Sequence, residues 1–329
     1  METHVKFSSE ALDIDAFKVA ERINTLIRES VFGPLKRKGV VLGLSGGIDS
    51  SVAAALCVQA LGNERVLGLL MPETDSSQDA VRLGRLMADS LQIRTVLEDI
   101  RPILSAAGCY QRRDEAIRKV IPDYDHGYKC KIVLPNPLDG DSYQVYAVIV
   151  RSPAGVEIRA RLTAEAYLGI VAATNFKQRT RKMIEYYYAD RFQYAVVGTP
   201  NRLEYDQGFF VKNGDGAADL KPIAHLYKTQ VYQLAKYFKI PQEIQERQPT
   251  TDTYSLLQSQ EEFFFGIPYD QLDLCLYGRN HGIPVADVAT AAGLTTEQAE
   301  RIYRLIDSKR RATQYLHTQP VMIEDSAEA

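Results

Sequence analysis

The chain has 329 residues, 45% of them hydrophobic and 25% charged, with a formal net charge of −3. That mixture builds a globular core rather than a disordered chain, and so balanced a charge provides no overall basic field for nucleic acid. No apolar run approaches the roughly 18 residues of a membrane span, and the polar, acidic start METHVKFSSEALDID lacks the apolar stretch of a signal peptide. The four cysteines, Cys57, Cys109, Cys130 and Cys275, show no CxxC spacing. The expectation is a cytoplasmic protein with free thiols, no disulfide frame and no zinc site.

Phe17, Ala20, Ile23 and Ile27 fall on one helical face, so a helix within residues 13–29 precedes the first strand. Strands and helices then alternate: strand 39–45, helix 48–61, strand 65–72, helix 77–91, strand 93–99. Apolar strands without alternation, separated by amphipathic helices, predict an α/β fold with a doubly wound parallel sheet flanked by helices. Residues 129–162 interrupt this order. KCKIVLP, SYQVYAVIVR and GVEIRARL are three strand-like runs, with turns at Asp139-Gly140 and Pro153-Ala154-Gly155. They predict a small β-meander inserted into the domain as a peripheral addition, a lid or a subunit contact. A long helix follows at 164–191, then the short strand AVVG at 195–198, then a helix at 227–238 that stops before Pro241. Residues 268–329 read as a C-terminal helical extension of one domain that takes in the whole chain. Within it, 285–306 has the outline of a helix-turn-helix, but Asp287, Glu297 and Glu300 make it acidic where a DNA reader is basic. A helical pair packed on the core is expected instead.

The first strand leads into VVLGLSGGIDSSVAAAL, residues 40–56. A strand that ends in a Gly-rich turn before a helix is a phosphate cradle. Glycines let backbone N–H groups approach oxyanions, and the helix N-terminus adds positive potential. A Walker A loop is excluded because no Lys follows Gly47, and a GxGxxG dinucleotide loop because Ser45 takes the second Gly position. What remains is Ser-Gly-Gly-Ile-Asp-Ser. It resembles the pyrophosphate-binding loop (PP-loop) of the N-type ATP pyrophosphatases, which attack the α-phosphate of ATP and release pyrophosphate. Gly43, Ser45, Gly46, Gly47, Asp49, Ser50 and Ser51 are the candidate ATP-binding residues of this loop. The three hydroxyls suit a leaving pyrophosphate, and Asp49 suits the Mg²⁺ that neutralises it.

A second block, VVGTPNRLEYDQGFFVKNGDGAADLKPIAHLYKTQVY at 196–232, narrows the resemblance. GTxxxxE, GFFxKxGDGxADLxPI and LxK[TR]Q occur in order, NFKQRTRKM at 175–183 resembles NxKARxRM, and PTTD at 249–252 resembles P[ST]AD. Together with the loop, these motifs resemble the NAD synthetases, enzymes that amidate nicotinic acid adenine dinucleotide. The resemblance covers roughly residues 15–120 and 164–310. It implies an adenine nucleotide alpha hydrolase-like fold and an ammonia-dependent ligase that forms an acyl-adenylate and releases AMP and pyrophosphate. It implies that Thr199 contacts ATP, that Lys228 and Thr250 sit on its phosphates, and that Glu204 joins Asp49 on Mg²⁺. It further implies that Arg179, Lys212, Asp219 and Lys309 contact the dinucleotide acid, and that Asp215 lies near the ammonia, where a carboxylate could take the proton of ammonium or hold the cation. A homodimer is implied as well, to which Ile184, Tyr187 and Tyr188 beside Arg179 add an aromatic helix face.

The chain also departs from the pattern. A His-Lys-Arg near the C-terminus is replaced by Ser308-Lys309-Arg310, and the 129–162 insertion is atypical. Two other readings therefore stand: adenylation and amidation of a different carboxylate, and a non-catalytic nucleotide-binding protein. About 38 residues precede the first strand, too few for a glutaminase domain, and no cysteine has a His at a suggestive spacing. Free ammonia is the expected nitrogen source, with a separate glutaminase partner left open.

Overall fold

The computed structural model describes residues 7–125, 127–134, 146–250 and 253–322. Helix α1 (Ala16–Phe32) is followed by β1 (Val40–Gly43), α2 (Ile48–Leu61), β2 (Val66–Leu70), α3 (Gln78–Leu91), β3 (Arg94–Leu97), α4 (Arg101–Ala106) and α5 (Cys109–Arg118). Strands β4 (Lys129–Val133), β5 (Ala147–Arg151) and β6 (Glu157–Arg161) lead into the long α6 (Ala164–Phe192). Then come β7 (Ala195–Val196), α7 (Arg202–Gln207), α8 (Lys228–Tyr237), α9 (Gln242–Glu246), α10 (Tyr269–His281), α11 (Val285–Ala292) and α12 (Thr296–His317).

The main sheet is parallel throughout, in the order β3-β2-β1-β7. Its strands read as unbroken apolar runs because both faces are covered. Val40 and Leu42 join a core with α1, α2, α3 and α8, while Val41 joins the opposite core with α4, α5 and α6. Strand order reverses at β1, with β2 on one side and β7 on the other. The loops after β1 and β7 therefore open on a shared crevice, the place where open α/β sheets bind ligands. Phe17, expected on the inner face of α1, is 59% exposed. It lies in the first turn and meets the Tyr237 ring edge-on.

Strands β4, β5 and β6 form a separate antiparallel sheet, with Cys130 opposite Val150 and Val148 opposite Ala160. The Asp139-Gly140 turn lies outside the described residues, as do residues 142–145. The second turn is present, with Gly155 at φ +85°. The inner face of the meander is seated on the body: Cys130, Ile132, Val148 and Val150 share a core with Ile117, Ala166 and Ile170. Its first strand also holds the 253–258 segment. Cys130 N donates to Ser255 Oγ at 2.8 Å, and Leu256 N donates to the Cys130 carbonyl at 3.1 Å.

Helices α10, α11 and α12 build a further core with Leu203 of α7 and Tyr227. The 285–306 segment is thus a packed helical pair. Arg310 ties α12 to α7 through two bonds to Asp206, at 2.8 and 2.6 Å. No helix among the described residues is long and apolar enough to cross a membrane.

Candidate active site

The loop between β1 and α2 is shaped by its glycines. Gly46 stands at φ +74°, and a Cβ there would lie 2.7 Å from Leu83 Cβ and 2.9 Å from the Ala80 carbonyl oxygen. An L-side chain fits neither the backbone nor the space. Gly47 is the N-cap of α2, and no side chain caps that end. The first-turn N–H groups of a 14-residue helix are left to face the crevice, an arrangement suited to an anion.

The three serines divide their work. Ser50 Oγ donates to the Gly47 carbonyl at 3.0 Å and lies 3.2 Å from Ser45 Oγ, and both hydroxyls line the cavity. Ser51 is fully buried and donates to the same carbonyl at 2.9 Å. Neither Ser51 nor Gly46 lines the cavity. Ser51 faces into the core because it follows Ser50 by one residue, a rotation of about 100° around the helix. Ser51 therefore supports the loop from within, and the phosphate contact expected of it is not available.

Asp49 follows β1, and Glu204 follows β7 on α7. Asn201 is what joins them. It caps α7 in a capping box, with its side chain accepting from Glu204 N and its own N–H donating to Glu204 Oε2 at 3.1 Å. Its Nδ2 also donates to Asp49 Oδ1 at 3.1 Å. Lys228, the first residue of α8 and fully buried, forms an ion pair with Asp49 Oδ2. Burial alone would pull the Lys228 ammonium down, but Asp49 and Glu204 outweigh it and hold the pKa above the ordinary value. Burial pushes Glu204 upward, and the Asp49 charge adds to the shift.

A cavity of about 400 Å³ runs past these groups. It takes in Gly43, Asp49, Thr199, Glu204, Asp215 and Thr250. Lys228 is not on its wall and acts on it through Asp49. Asp215 accepts from Val211 N at 2.7 Å, and burial raises its pKa against that bond.

Besides Gly46, Ser51 and Lys228, four predicted substrate contacts lie outside this cavity. Arg179 is on the outer side of α6 and donates to the Lys212 carbonyl at 3.3 Å. Lys212 Nζ donates to the carbonyls of Tyr315 and Thr318, both at 2.8 Å, and fastens the end of α12. Asp219 Oδ2 accepts from Val196 N at 2.7 Å, where the 219–220 segment pairs with the outer edge of β7. Lys309 Nζ is held by the Phe264 carbonyl and lies 4.0 Å from the centre of the Phe264 ring, and burial takes its pKa down to about 7. Thr251 and Asp252 of the PTTD stretch lie outside the described residues, as does His126.

Several groups were not singled out from the sequence. Asn201 carried a signal, since Asn-x-x-Glu before a helix is a capping box. Arg247 Nη1 donates to the Ser45 carbonyl at 3.3 Å and lines the cavity. Lys182 and Glu185 form an ion pair on its wall. Behind the cavity, Lys177 Nζ reaches Glu73 at 3.0 Å, Asp75 at 2.6 Å and the Thr253 carbonyl at 2.6 Å. That buried network pins the 253 segment to α6 and to the end of β2.

Comparison with known proteins agrees with the arrangement. The family model described as NAD synthase matches residues 19–121 and 155–315. The chain belongs to the NAD synthase family. The gap in the NAD synthase match takes in β4 and β5 and ends at the turn before β6. An NH(3)-dependent NAD(+) synthetase of Mesorhizobium japonicum is 57% identical over 311 residues, 94% of this chain and 98% of the relative. Among solved structures, the NH3-dependent NAD synthetase of Campylobacter jejuni, in complex with nitrate, is similar with a TM-score of 0.62 and 23% identity. The match covers 94% of this chain and all of that one. The NMN synthetase of Francisella tularensis is similar with a TM-score of 0.65 and 21% identity, over 95% of this chain and all of that one. At these identities the two structures speak for the NAD synthase fold and not for a substrate.

Proposed function

We propose that this chain is an ammonia-dependent NAD synthetase, a ligase that amidates nicotinic acid adenine dinucleotide at the expense of ATP. The observation that carries the reading is the convergence, in a member of the NAD synthase family, of the uncapped α2 N-terminus with Asp49, Glu204 and Lys228. In the proposed reaction the α2 N-terminus, Ser45 and Ser50 bind the pyrophosphate portion of ATP. The acid's carboxylate attacks the α-phosphate, and the acyl-adenylate then reacts with ammonia to give the amide and AMP. Two anions must meet in the first step, so fixed positive groups are needed where they approach. Thr199 and Thr250 line the same cavity and are proposed as ATP contacts.

Mg²⁺ fits the donor set. Asp49 and Glu204 are two carboxylates from neighbouring strand ends, and Mg²⁺ is commonly held by one or two carboxylates together with phosphate oxygens and water. Bound there, Mg²⁺ would neutralise the phosphates and polarise the reacting centre. Lys228 holds the Asp49 carboxylate in place through their ion pair.

The amide nitrogen is proposed to come from free ammonia. All four cysteines are buried, and burial pushes each thiol up, Cys57 and Cys275 to about 12 and Cys109 to about 11. Such thiols are poor nucleophiles for glutamine. A cytoplasmic homodimer completes the proposal. The outer side of α6 exposes Met183 and Tyr187 beside Arg179, with Leu168 exposed nearer its N-terminus. Ile184 and Tyr188, expected on the same face, instead pack inward against the sheet. Arg179, Lys212 and Asp219 then belong to a dinucleotide site finished by the second subunit, and Lys309 to the segment that closes on it.

The test is incubation with ATP, Mg²⁺, ammonia and the dinucleotide acid, with NAD and AMP quantified. The mononucleotide acid runs in parallel, because the fold is shared with an NMN synthetase. NAD and AMP in equal amounts are expected. AMP release only with the mononucleotide acid would reassign the substrate, and no release with either would leave a binding protein. Glutamine in ammonia-free buffer is expected to yield no NAD.

A further inference from the structure

Lys182 and Glu185 lie one turn apart on α6, and their ion pair (Nζ–Oε2 2.5 Å) is nearly sealed, at 5% and 6% exposure. Both still line the cavity. A buried ion pair is seldom a source of stability, since apolar residues of similar size usually serve as well or better. The NxKARxRM pattern has an apolar Met in the place of Lys182. A pair kept on the wall of a reaction cavity calls for a chemical account.

The surroundings supply one. The Gly214-Asp215 turn is seated directly on α6: a Cβ on Gly214 would lie 3.0 Å from Gln178 Cβ. Gln178, Lys182 and Glu185 follow at i, i+4 and i+7, the spacing of one helical face. On the other side β1 ends at Gly43, where a Cβ would lie 3.3 Å from Glu185 Oε1. Glycine there leaves the carboxylate room. Lys182 occupies Oε2, and Oε1 accepts no hydrogen bond among the described residues. The charged groups facing Glu185 are Lys182 and Arg181 from its own helix and Asp215 from the turn, with Lys221 beyond Lys182. The nearby ends of β1 and β2 present Gly43 and Met71, which carry no charge.

Resting on the ammonia-dependent reading above, we propose that Glu185 accepts the proton of the incoming ammonium, and that Lys182 is the positioning residue that holds its carboxylate beside Asp215. Ammonium must lose two protons to become an amide nitrogen. The first passes from N–H to Glu185 Oε1, which frees the lone pair. That lone pair attacks the acyl carbon, the C–N bond forms, and the acyl C–O bond breaks with its electrons leaving on AMP. The second proton goes to Asp215, and both carboxylates return their protons to water. Burial holds each carboxyl above its ordinary range, which favours proton uptake.

The test separates the two half-reactions. Substrate-dependent ATP–pyrophosphate exchange reports adenylation, and amide formation is followed with ammonia and with hydroxylamine, a nucleophile already unprotonated near neutral pH. Glu185→Gln is expected to keep exchange, to lose about 100-fold in the ammonia rate, and to keep the hydroxylamine rate. Because Gln leaves a buried ammonium without a counter-charge, the double variant Lys182→Met/Glu185→Leu is made alongside, with the same pattern expected. Lys182→Met alone is expected to lower the ammonia rate and Lys182→Arg to restore most of it. An unchanged ammonia rate in either Glu185 variant, an equal loss with both nucleophiles, or lost exchange would overturn the proposal. Absence of exchange in the unaltered chain would instead sink the amidation reading, and this one with it.

Discussion

The sheet end and the outer side of α6 hold their charged side chains by different means. At the sheet end, Asp49, Asn201, Glu204 and Lys228 interlock although up to 179 residues separate them. On the outer side of α6 and beside the outer edge of β7, Arg179, Lys212 and Asp219 each bond to their own chain's backbone. The difference lies in what places each group. A residue in the first turn after a strand is aimed by the sheet itself, so a parallel register fixes it. A long side chain on an outer face is aimed by whatever covers that face. The sheet end is thus assembled by the chain itself, whereas the outer face is the one assigned to the proposed second subunit.

The sharpest way to break this comparison is to remove charge at the sheet end. Asp49→Asn and Glu204→Gln are each expected to lower pyrophosphate exchange by about 100-fold or more. Their stabilities should differ. Asp49→Asn strips the buried Lys228 of its ion-pair partner, which commonly costs about 3–5 kcal/mol, although Glu204 nearby offsets part of it. Glu204→Gln keeps an acceptor for Asn201 N and should melt near the parent temperature. Near-parent exchange in both variants at limiting Mg²⁺ would remove the metal assignment and leave the constellation as packing.

The outer face is probed by Met183→Glu or Tyr187→Glu. Both side chains are more than half exposed in the isolated chain, so neither substitution should harm its fold. Light scattering is expected to show monomers, and KM for the dinucleotide acid to rise about tenfold, the equivalent of roughly 1.4 kcal/mol of lost contact. A monomer with the parent KM would mean that Arg179, Lys212 and Asp219 serve the fold alone.

The same contrast explains what the sequence made legible. The bounds of α2 and the loop before it were readable because Gly and Ser chemistry states them locally, and the meander because its strands alternate around turns. Lys182 and Glu185 were not, since QRTRKMIE looks like any solvated helix face. Only the Gly214-Asp215 turn and the end of β1, distant in sequence, enclose it. Arg179, in the same stretch, does stay outside. Ser51 misled for a related reason: SGGIDSS offers three hydroxyls, and the helical rotation that turns one of them into the core is not written in the motif.

The smallest expected effect concerns how the sheet end is braced from behind. Asp273 of α10 is fully buried, and its Oδ2 accepts from Thr229 N at 2.8 Å, holding the first turn of α8 and with it Lys228. Its Oδ1 has no partner among the described residues. Burial, opposed by the Thr229 bond, raises the carboxyl to about 6, against an ordinary value near 3.9. The proton is therefore bound more tightly in the folded state. The stability that this group contributes is complete below about pH 4 and lost as pH rises through about 6; a shift of about two units corresponds to about 3 kcal/mol at most. Asp273→Asn keeps an acceptor for Thr229 N and has no charge to desolvate. Its melting temperature should equal or exceed the parent's by a few degrees at pH 8, and the gap should close toward pH 4. Pyrophosphate exchange should persist, because Lys228 stays in place. A variant equally destabilised at pH 4 and pH 8 would show that the carboxylate's geometry, rather than its titration, braces α8, and would make α10 as much a part of the sheet-end site as β1 and β7.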